Sequence, residues 1–453
     1  MQSITHTMFD LVVVGGGIAG SMAAVAAGRE GLGVLLIEEE GYLGGSLTAS
    51  GTGPMMTFHA GKKQIVRGLV DEVIQRLMRK GLSVGHIVDS TGYTYTVTPF
   101  DSEGMKRELE LMCLEAGVQL LYHTSLVEAI PEDGLLRSIK CLCAGNLFEI
   151  QSTYFIDATG DADLIAMAGI PFEQGREIDG KNQPLTTNFK LVDVDIQVIR
   201  NLMDSNVELF PFLAPKAGLQ HQASRLSFSG FQQIMQEGIA KGEITFDRDI
   251  VLCFETNTPN EVIVNMTRVL DKNPVIPLEL TEAELEGRRQ VWQLYDFLKT
   301  RVPGFEKARM TQSGPSIGIR SSRRLKGVYR ITVQDLLQET IFKDSISACG
   351  YPIDIHSPDG ADTDTTFLRE GSYYTIPLRS LLNEHVPNVL AAGRNISCEF
   401  EAHASLRISP SAGAIGQGAG TAVALAIQTG KDLFHLDLNA LHDTLRKAGA
   451  FVG

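Results

Sequence analysis

Three glycines near the start of the chain, Gly15, Gly17 and Gly20, have the spacing G-x-G-x-x-G. This spacing suits a tight turn, a close approach of the backbone to a pyrophosphate, and close packing of a helix on a strand. In such sites an acid that binds a ribose hydroxyl lies about 20 residues further on, and Glu38 occupies that place. These four residues predict a site for a dinucleotide, either NAD or FAD.

The segments around the glycines predict the elements that hold such a site. Residues 11–14 are a β-branched run typical of a buried parallel strand, and residues 34–37 form a second one. The alanine-rich stretch between them indicates a helix whose N-terminus faces the phosphates. Further predicted cofactor contacts come from Ile18, Ala19, Gly44, Gly45 and Ser46.

Two later segments favour FAD over NAD. In DATGD, an apolar strand ends in a turn of small residues that lets the backbone pass close to a nucleotide. In residues 388–421, a strand delivers Gly-Arg to a glycine-rich entry into a helix, which suits a ribityl chain and stabilises negative charge on an isoalloxazine ring. The predicted cofactor contacts here are Ala158, Thr159, Gly160, Asp161, Gly393, Arg394, Ala414 and Ile415.

The composition narrows the class of protein. A net charge of −14 argues against nucleic acid as a partner, because nucleic acid requires a basic face. The six cysteines show neither C-x-x-C nor zinc spacing, so we predict no metal site and a reducing, cytoplasmic location. No apolar run is long enough to predict a membrane span. Homo-oligomerisation stays open.

The layout of the chain predicts an α/β protein with a Rossmann-like FAD-binding domain in two pieces, residues 1–175 and 373–453. Residues 176–372 are predicted to form an inserted α+β substrate domain. Helices are expected over residues 65–77 and after Pro99, the second with Asp101 or Ser102 as its cap. Strands are expected over residues 118–122, 136–143 and 147–156. In the insertion, Thr281 and Glu284 have the spacing of a capping box at a helix start.

The chain resembles the FAD-dependent oxidoreductases of the glutathione-reductase-type FAD fold, in the bacterial branch known by that general name. The similar stretches are GGGIAGSMAA, LGGSLTASG, HIVDSTGYTYTVTPFD, FIDATGDADL, QPLTTNFKL, GPSIGIRSSRRLKGVYRIT, YPIDIH, YYTIPLRSLL and VLAAGRNISCEFEAHASLR. They run from end to end of the chain. The resemblance implies FAD on the Rossmann-like domain, covalent or noncovalent, and a substrate at the flavin face under the inserted domain.

Two departures from the family pattern concern charge. The family usually reads R-E-S-R-R where this chain has RSSRR at residues 320–324, and Y-D-I-P-Y-R where it has YTIPLR at residues 374–379. Ser321 and Thr375 therefore stand in place of two acids. If those acids pair with arginines in relatives, the site of this chain is more cationic, so the identity of the substrate is not carried over.

His403 and Arg407 are the predicted catalytic residues. His403 lies between the Gly-Arg turn and the glycine-rich helix, and a histidine is a suitable acid or base near neutral pH. Arg407 is expected to hold an anionic group of the substrate. The alternatives are a core histidine, and an ion pair of Arg407 with Glu399 or Glu401. Weaker candidates are His59, His356, and an arginine face made by Arg320 and Arg324 if that segment is helical.

These residues predict an enzyme that oxidises an alcohol or amine C–H of a small molecule by hydride transfer to flavin N5. The same residues suit the reverse reaction, reduction of an activated C=C bond. A nonredox or RNA-modifying flavoprotein is a third possibility, against which the acidic charge weighs. Oxygen, a quinone or a protein could each be the electron acceptor.

Overall fold

A computed structural model of the chain describes residues 8–361 and 363–453. Its strands, in chain order, are β1 (Met8–Val14), β2 (Val34–Ile37), β3 (His59–Ala60), β4 (Lys63–Gln64), β5 (Ile87–Val88), β6 (Thr96–Val97), β7 (Gln119–Leu121), β8 (Thr124–Glu132), β9 (Leu135–Cys143), β10 (Asn146–Asp157), β11 (Phe172–Gln174), β12 (Phe189–Val192), β13 (Ser227–Gly230), β14 (Val251–Glu255), β15 (Val262–Val264), β16 (Arg309–Ser313), β17 (Arg323–Leu325), β18 (Ser345–Cys349), β19 (Ile353–His356), β20 (Thr363–Thr366), β21 (Tyr374–Pro377) and β22 (Val389–Ala391).

The α-helices are α1 (Ile18–Arg29), α2 (Leu69–Arg79), α3 (Ser102–Glu115), α4 (Asp163–Met167), α5 (Ile196–Ser205), α6 (Leu219–Gln222), α7 (Gln232–Ala240), α8 (Pro277–Arg301), α9 (Val333–Leu337), α10 (Phe400–Leu406), α11 (Ser409–Thr429) and α12 (Leu438–Lys447). None of the helices in the described residues combines the length and the apolar character that a membrane span requires.

The largest sheet among the described residues is the frame of the predicted dinucleotide site. Its strand order is β7-β2-β1-β10-β9-β8, and β22 pairs with β10 as well. The second half of β10 lies parallel to β1 and β22, and its first half lies antiparallel to β9. The carboxyl ends of β1, β10 and β22 therefore meet at one edge of the sheet, where parallel α/β sheets bind ligands. The predicted mixed α/β class with a parallel sheet is confirmed.

A second antiparallel sheet, with the order β13-β14-β15-β12-β16, has a hydrophobic core of its own. This core lies within residues 189–308 and includes the inner faces of α5, α7 and α8. From Leu325 onward the buried apolar residues belong to the first core again. A smaller cluster of Leu185, Val269, Ala283 and Ile317 lies within the predicted insertion as well. The predicted bounds of the insertion, residues 176–372, stay a prediction.

The starts of α3 and α8 can be compared with the caps predicted from the sequence. The Asp101 carboxylate accepts from the Gly104 N–H, so the predicted cap of α3 is confirmed. The predicted capping box at Thr281 is wrong, because α8 already begins at Pro277, a residue suited to the first helical turn. Thr281 lies inside the helix, and its hydroxyl donates to the Pro277 carbonyl at 2.9 Å.

Candidate functional site

A cavity of about 510 Å³ lies at the carboxyl edge of the parallel sheet. Of the residues predicted to contact the cofactor, Gly20, Ala414 and Ile415 do not line it. The predicted residues that do line it are Gly15, Gly17, Ile18, Ala19, Glu38, Gly44, Gly45, Ser46, Ala158, Thr159, Gly160, Asp161, Gly393 and Arg394. The structure thus brings together segments that are far apart in the chain around one elongated space.

The three motif glycines differ in what surrounds them. A Cβ on Gly15 would lie 2.6 Å from the Ala158 carbonyl oxygen, and one on Gly20 would lie 1.9 Å from the Gly15 carbonyl oxygen. A Cβ on Gly17 would meet only the Gly45 Cα, at 3.9 Å. Packing within the protein therefore requires glycine at the first and third positions. At Gly17 the protein leaves room, which is what a backbone that approaches a pyrophosphate needs.

The Glu38 carboxylate holds the glycine loop as well as facing the cavity. Its Oε2 accepts from the Gly16 N–H at 2.6 Å, and its Oε1 accepts from the Glu40 N–H at 2.9 Å. Burial raises the pKa of Glu38, and the two backbone N–H groups oppose that rise. The predicted ribose contact stays a prediction, and Glu38 lines the cavity.

Asp157 joins three segments of the cavity wall. Its carboxylate accepts from the Thr159 N–H and hydroxyl, from the Ile165 N–H and from the Asn395 amide. Burial raises the pKa of Asp157 to about 6, against the lowering effect of the Ile165 and Thr159 bonds. Next to it, Arg394 pairs with Asp161 at 2.8 Å and so closes the wall between β10 and β22.

The glycine-rich segment at residues 409–421 is not an entry into a helix but part of one, since α11 begins at Ser409. Ser409 and Ala412 line the cavity, in place of the predicted Ala414 and Ile415. A Cβ on Gly416 would lie 2.0 Å from the Ala19 carbonyl oxygen, and one on Gly420 would lie 2.1 Å from that of Ala23. These glycines therefore allow α11 to pack directly on α1.

A second cavity, of about 420 Å³, lies between the first cavity and the inserted sheet. The two cavities have Ser46, Ile319, Arg394, Arg407 and Ser409 in common. A molecule in the second cavity can therefore reach a molecule in the first. The wall of the second cavity combines apolar side chains of the insertion with a group of buried polar side chains.

Asp354 is the centre of a polar network in the second cavity. Its carboxylate accepts from the Tyr93 hydroxyl at 2.9 Å and from the Tyr351 hydroxyl at 3.3 Å, and the His356 Nε2 lies 3.4 Å away. Burial raises the pKa of Asp354, but His356 and Arg407 outweigh it, so the pKa lies well below its usual range. Burial, followed by repulsion from Arg320, lowers the pKa of His356 to about 3. Asp354 is thus an anion beside a neutral imidazole at neutral pH.

Four arginines, Arg248, Arg320, Arg394 and Arg407, line the same cavity. Arg407 does not pair with Glu399 or Glu401, the alternative that its position in the sequence suggested. Its guanidinium donates instead to the Gln183 side chain at 3.3 Å. Arg320 lies outside any helix, so the predicted helical face with Arg324 is wrong. Arg324 is buried and donates to the carbonyls of Cys398 and Gly175, whereas Arg323 pairs with Asp163.

His403 does not have the placement that a proton-transfer role needs. It is fully buried, lines neither cavity, and its Nε2 lies 2.8 Å from the Arg394 carbonyl oxygen. Burial, and then the charges of Arg324, Arg407 and Arg394, lowers its pKa well below the usual value. A neutral ring that donates to a carbonyl supports the Arg394 turn. This placement favours a positioning role for His403, and the predicted catalytic role stays a prediction.

Some site residues could not be found from the sequence. Arg248 lines the second cavity from outside the family-like stretches. Tyr93 and Tyr351 line it as well, and they lie within the stretches HIVDSTGYTYTVTPFD and YPIDIH, but no role was predicted for either residue. His356 was a weak candidate in a Pro-flanked segment, and the structure places it in the cavity wall. His59, the other weak candidate, lies outside both cavities with its Nδ1 3.1 Å from the Thr96 hydroxyl. Of the two departures from the family pattern, only Ser321 lies near the arginines, where its hydroxyl accepts from the Gln183 N–H.

Curated proteins match parts of the chain. The chain is 30% identical over 121 residues to dihydrolipoamide dehydrogenase of Chaetomium thermophilum, covering 26% of this chain and 23% of that protein. It is 28% identical over 163 residues to digeranylgeranylglycerophospholipid reductase 1 of Methanococcoides burtonii, covering 34% of this chain and 38% of that protein. The chain therefore spans less than half the length of these relatives.

Among solved structures, a flavin-dependent brominase superposes with a TM-score of 0.51 at 14% identity, covering 96% of this chain and 83% of the brominase. At that identity the likeness shows the fold alone.

The family profile described as "FAD dependent oxidoreductase" matches residues 10–445. It confirms the predicted family resemblance, the predicted FAD cofactor and the prediction of an enzyme. Nearly the whole described chain, with both cavities, lies within the match. The chain therefore belongs to the family of FAD-dependent oxidoreductases.

Proposed function

We propose that the protein transfers a hydride between a small organic substrate and FAD, in the direction that oxidises an alcohol or amine C–H. The observation that supports this is the junction of the two cavities at Arg394, Arg407 and Ser409. The first cavity has the features of a cofactor site, and the second opens onto it under the inserted sheet. This arrangement suits a reaction between two bound molecules.

The residues of the first cavity fit FAD. The room left at Gly17, the N-terminus of α1 behind it, and the Glu38 carboxylate fit the pyrophosphate and the ribose. We propose that Arg394 and Ser409, at the junction, lie nearest the ring system. FAD supplies two-electron chemistry when it is bound. The five-strand parallel part of the sheet supports assignment to the glutathione-reductase type of FAD domain.

The protein's own contribution is to orient the substrate and to handle its proton. Arg407 lines both cavities, so we propose that it orients the substrate at the junction. His356 lines the substrate cavity, is neutral at pH 7 and has the Asp354 carboxylate beside it. It is the group we propose as acceptor of the proton from the substrate O–H or N–H. Asp354 then stabilises the imidazolium that forms.

A second candidate is the reverse reaction, the reduction of an activated C=C bond. The observation that favours it is the match to a digeranylgeranylglycerophospholipid reductase, whose name states a reductase activity. The same cavities would serve. The direction of flavin reduction distinguishes the two candidates.

The test is anaerobic mixing of the purified FAD-loaded protein with fractionated metabolite pools, followed by the visible flavin spectrum. Bleaching by a fraction that contains alcohols or amines supports the oxidase or dehydrogenase direction. Recovery of the band when a prereduced sample meets an alkene fraction supports the reductase direction. If neither pool changes the flavin spectrum of protein that is fully loaded, the proposed function is wrong. His356→Gln is expected to slow reduction by about 10²–10⁴-fold at unchanged FAD content.

A further inference from the structure

The second cavity holds an excess of positive charge. Arg248, Arg320, Arg394 and Arg407 line it, and so do two carboxylates, those of Asp249 and Asp354. Arg394 is paired with Asp161, which leaves three arginines to consider. Asp354 is already engaged by two tyrosine hydroxyls and by His356. The cavity wall therefore contains more guanidinium groups than acids to balance them.

The hydrogen-bond partners of Arg248, Arg320 and Arg407 are all neutral. The charge of Asp354 attracts all three guanidinium groups, and that of Asp249 attracts Arg248, without a hydrogen bond to them. Arg320 donates to the Pro184 carbonyl at 2.7 Å, Arg407 to the Gln183 amide oxygen at 3.3 Å, and Arg248 approaches the Asn265 carbonyl at 3.5 Å. The Nε atoms of Arg248 and Arg407 are buried and have no hydrogen-bond partner among the described residues. These two buried N–H groups can therefore donate hydrogen bonds to a ligand.

Such an arrangement costs folding free energy unless an anion completes it. Burying a charge is unfavourable when it is not paired and hydrogen-bonded. Burial, followed by repulsion from Arg407, Arg268 and Arg248, lowers the pKa of the Arg320 guanidinium well below its usual value. A carboxylate is planar and accepts two parallel N–H bonds from one guanidinium, so it fits this set of donors.

Other parts of the wall are apolar. The insertion contributes Phe212, Ile250, Leu252 and Phe254. The loop before β3 contributes Pro54 and Met56. Tyr93 packs edge-on against Phe212, with ring centroids 5.5 Å apart. A ligand that fills the cavity therefore needs an apolar body as well as a charged end.

We propose that the substrate is an organic acid whose carboxylate binds Arg320 and Arg407, with Arg248 as a further positive charge, and whose apolar body lies along Phe212 and Phe254. This rests on the proposed function, because it identifies the second cavity as the substrate cavity. Arg407 belongs to both cavities, so the carboxylate end of the substrate lies at the junction. The carbon that reacts is then close to the carboxylate.

The test compares three ligands of similar shape on the FAD-loaded protein: phenylacetate, phenylacetamide and phenethylammonium. Binding is measured by titration calorimetry and by perturbation of the flavin absorption band. Phenylacetate should bind about 10- to 100-fold more tightly than phenylacetamide, the range expected for hydrogen bonds to a charged group. Phenethylammonium should not compete. Equal affinities for the acid and the amide in the wild-type protein would overturn the inference.

Variants identify the residues. Arg320→Leu and Arg248→Leu should weaken phenylacetate binding about tenfold or more and leave phenylacetamide binding unchanged. The matched control is Arg309→Leu, an exposed arginine of the inserted sheet that pairs with Asp193, which should leave both affinities unchanged. If Arg320→Leu does not fold, the inference is still tested by Arg248→Leu and by the affinities of the wild-type protein for phenylacetate and phenylacetamide. Loss of both ligands to the same extent in a folded variant would contradict a carboxylate contact.

Failure of this inference can be told apart from failure of the proposed function. Suppose that phenylacetate binds selectively but no metabolite pool changes the redox state of the flavin. The carboxylate site is then supported, and the proposed hydride transfer is wrong. If a neutral alcohol or amine reduces the flavin while acid and amide bind equally, hydride transfer stands and the organic-acid substrate is overturned.

Discussion

The imidazole Nε2 of His403 lies 2.8 Å from the carbonyl oxygen of Arg394, nine residues earlier in the chain. This bond ties the start of α10 to the turn that follows β22. The side chain of Arg394 is held in turn by Asp161 and Ser322. A buried histidine thus fixes the backbone of a residue that lies at the junction of the two cavities.

His403→Ala is expected to weaken FAD binding by about tenfold, because a buried carbonyl loses its donor and the Arg394 turn loosens. Flavin reduction at saturating FAD should stay within about threefold of wild type, far less than the loss of an acid or base causes. His403→Gln, whose amide can donate to the same carbonyl, should restore FAD affinity. Equilibrium dialysis and anaerobic stopped-flow spectroscopy give the two quantities. Slow reduction with FAD fully retained would reinstate the catalytic role.

Gly17→Ala is expected to affect FAD binding alone, whereas Gly20→Ala is expected to affect the stability of the protein as well. A methyl group at Gly17 finds space within the protein, so the FAD-free protein should unfold at the wild-type temperature, but FAD binding should weaken by at least about tenfold. A methyl group at Gly20 meets the Gly15 carbonyl at 1.9 Å, so that variant should lose about 1–3 kcal/mol of stability as well. Thermal unfolding without FAD, and fluorescence titration with FAD, separate the two effects. Similar unfolding temperatures for the two variants would contradict this reading of the loop.

Glu38→Ala removes the acceptor of the Gly16 and Glu40 N–H groups. The dissociation constant for FAD should rise about 10- to 100-fold, since hydrogen bonds to a charged group contribute about 1.5–3 kcal/mol. The control is Glu132→Ala, an exposed acid at the end of β8. Retention of FAD through dialysis at the wild-type level would show that the glycine loop does not depend on this carboxylate.

Asp157 predicts a pH dependence of stability with a definite sign. Its pKa of about 6 in the folded protein exceeds the ordinary value of 3.8, so the folded state binds more protons between these pH values. The free energy of unfolding contributed by this group therefore falls as the pH rises from about 4 to about 6, by about 3 kcal/mol for a shift of this size. Relative to Asp157→Asn, which does not titrate, wild type should lose that amount between pH 4 and pH 7. Urea unfolding at saturating FAD measures both proteins, and parallel pH profiles would contradict the shifted pKa.

The sequence predicted those parts of the site that are formed by residues close together in the chain. The strand, the turn at Gly15 and the helix α1 follow each other within residues 8–29, so local spacing is enough to identify them. The same holds for the turn after β10, where Asp157 and Thr159 bond to each other. The chemistry of these turns depends on neighbours in the chain, and a sequence displays such neighbours directly.

The parts that were not predictable depend on long-range packing. Arg248, Arg320 and Arg407 reach one cavity from three distant segments, and nothing near any of them in the chain indicates the other two. The glycines of α11 were predicted to form the entry into a helix, whereas they lie inside it, and the reason is related. Glycine serves a phosphate turn and a close helix contact equally well, and only the 2.0 Å approach at Gly416 shows which use applies.

The cofactor cavity is built from residues 14–167 and 392–412 together with Ser316, Ile317 and Ile319, and the inserted core at residues 189–308 comes between the first piece and the others in the chain. Because a ribosome delivers a chain from its N-terminus, the first piece emerges while its partner strand β22 and helix α11 do not yet exist. The insertion can form its own core during that interval. The cavity is complete only after residue 412 has left the ribosomal tunnel, so loading of FAD must follow synthesis of both pieces and of the insertion between them.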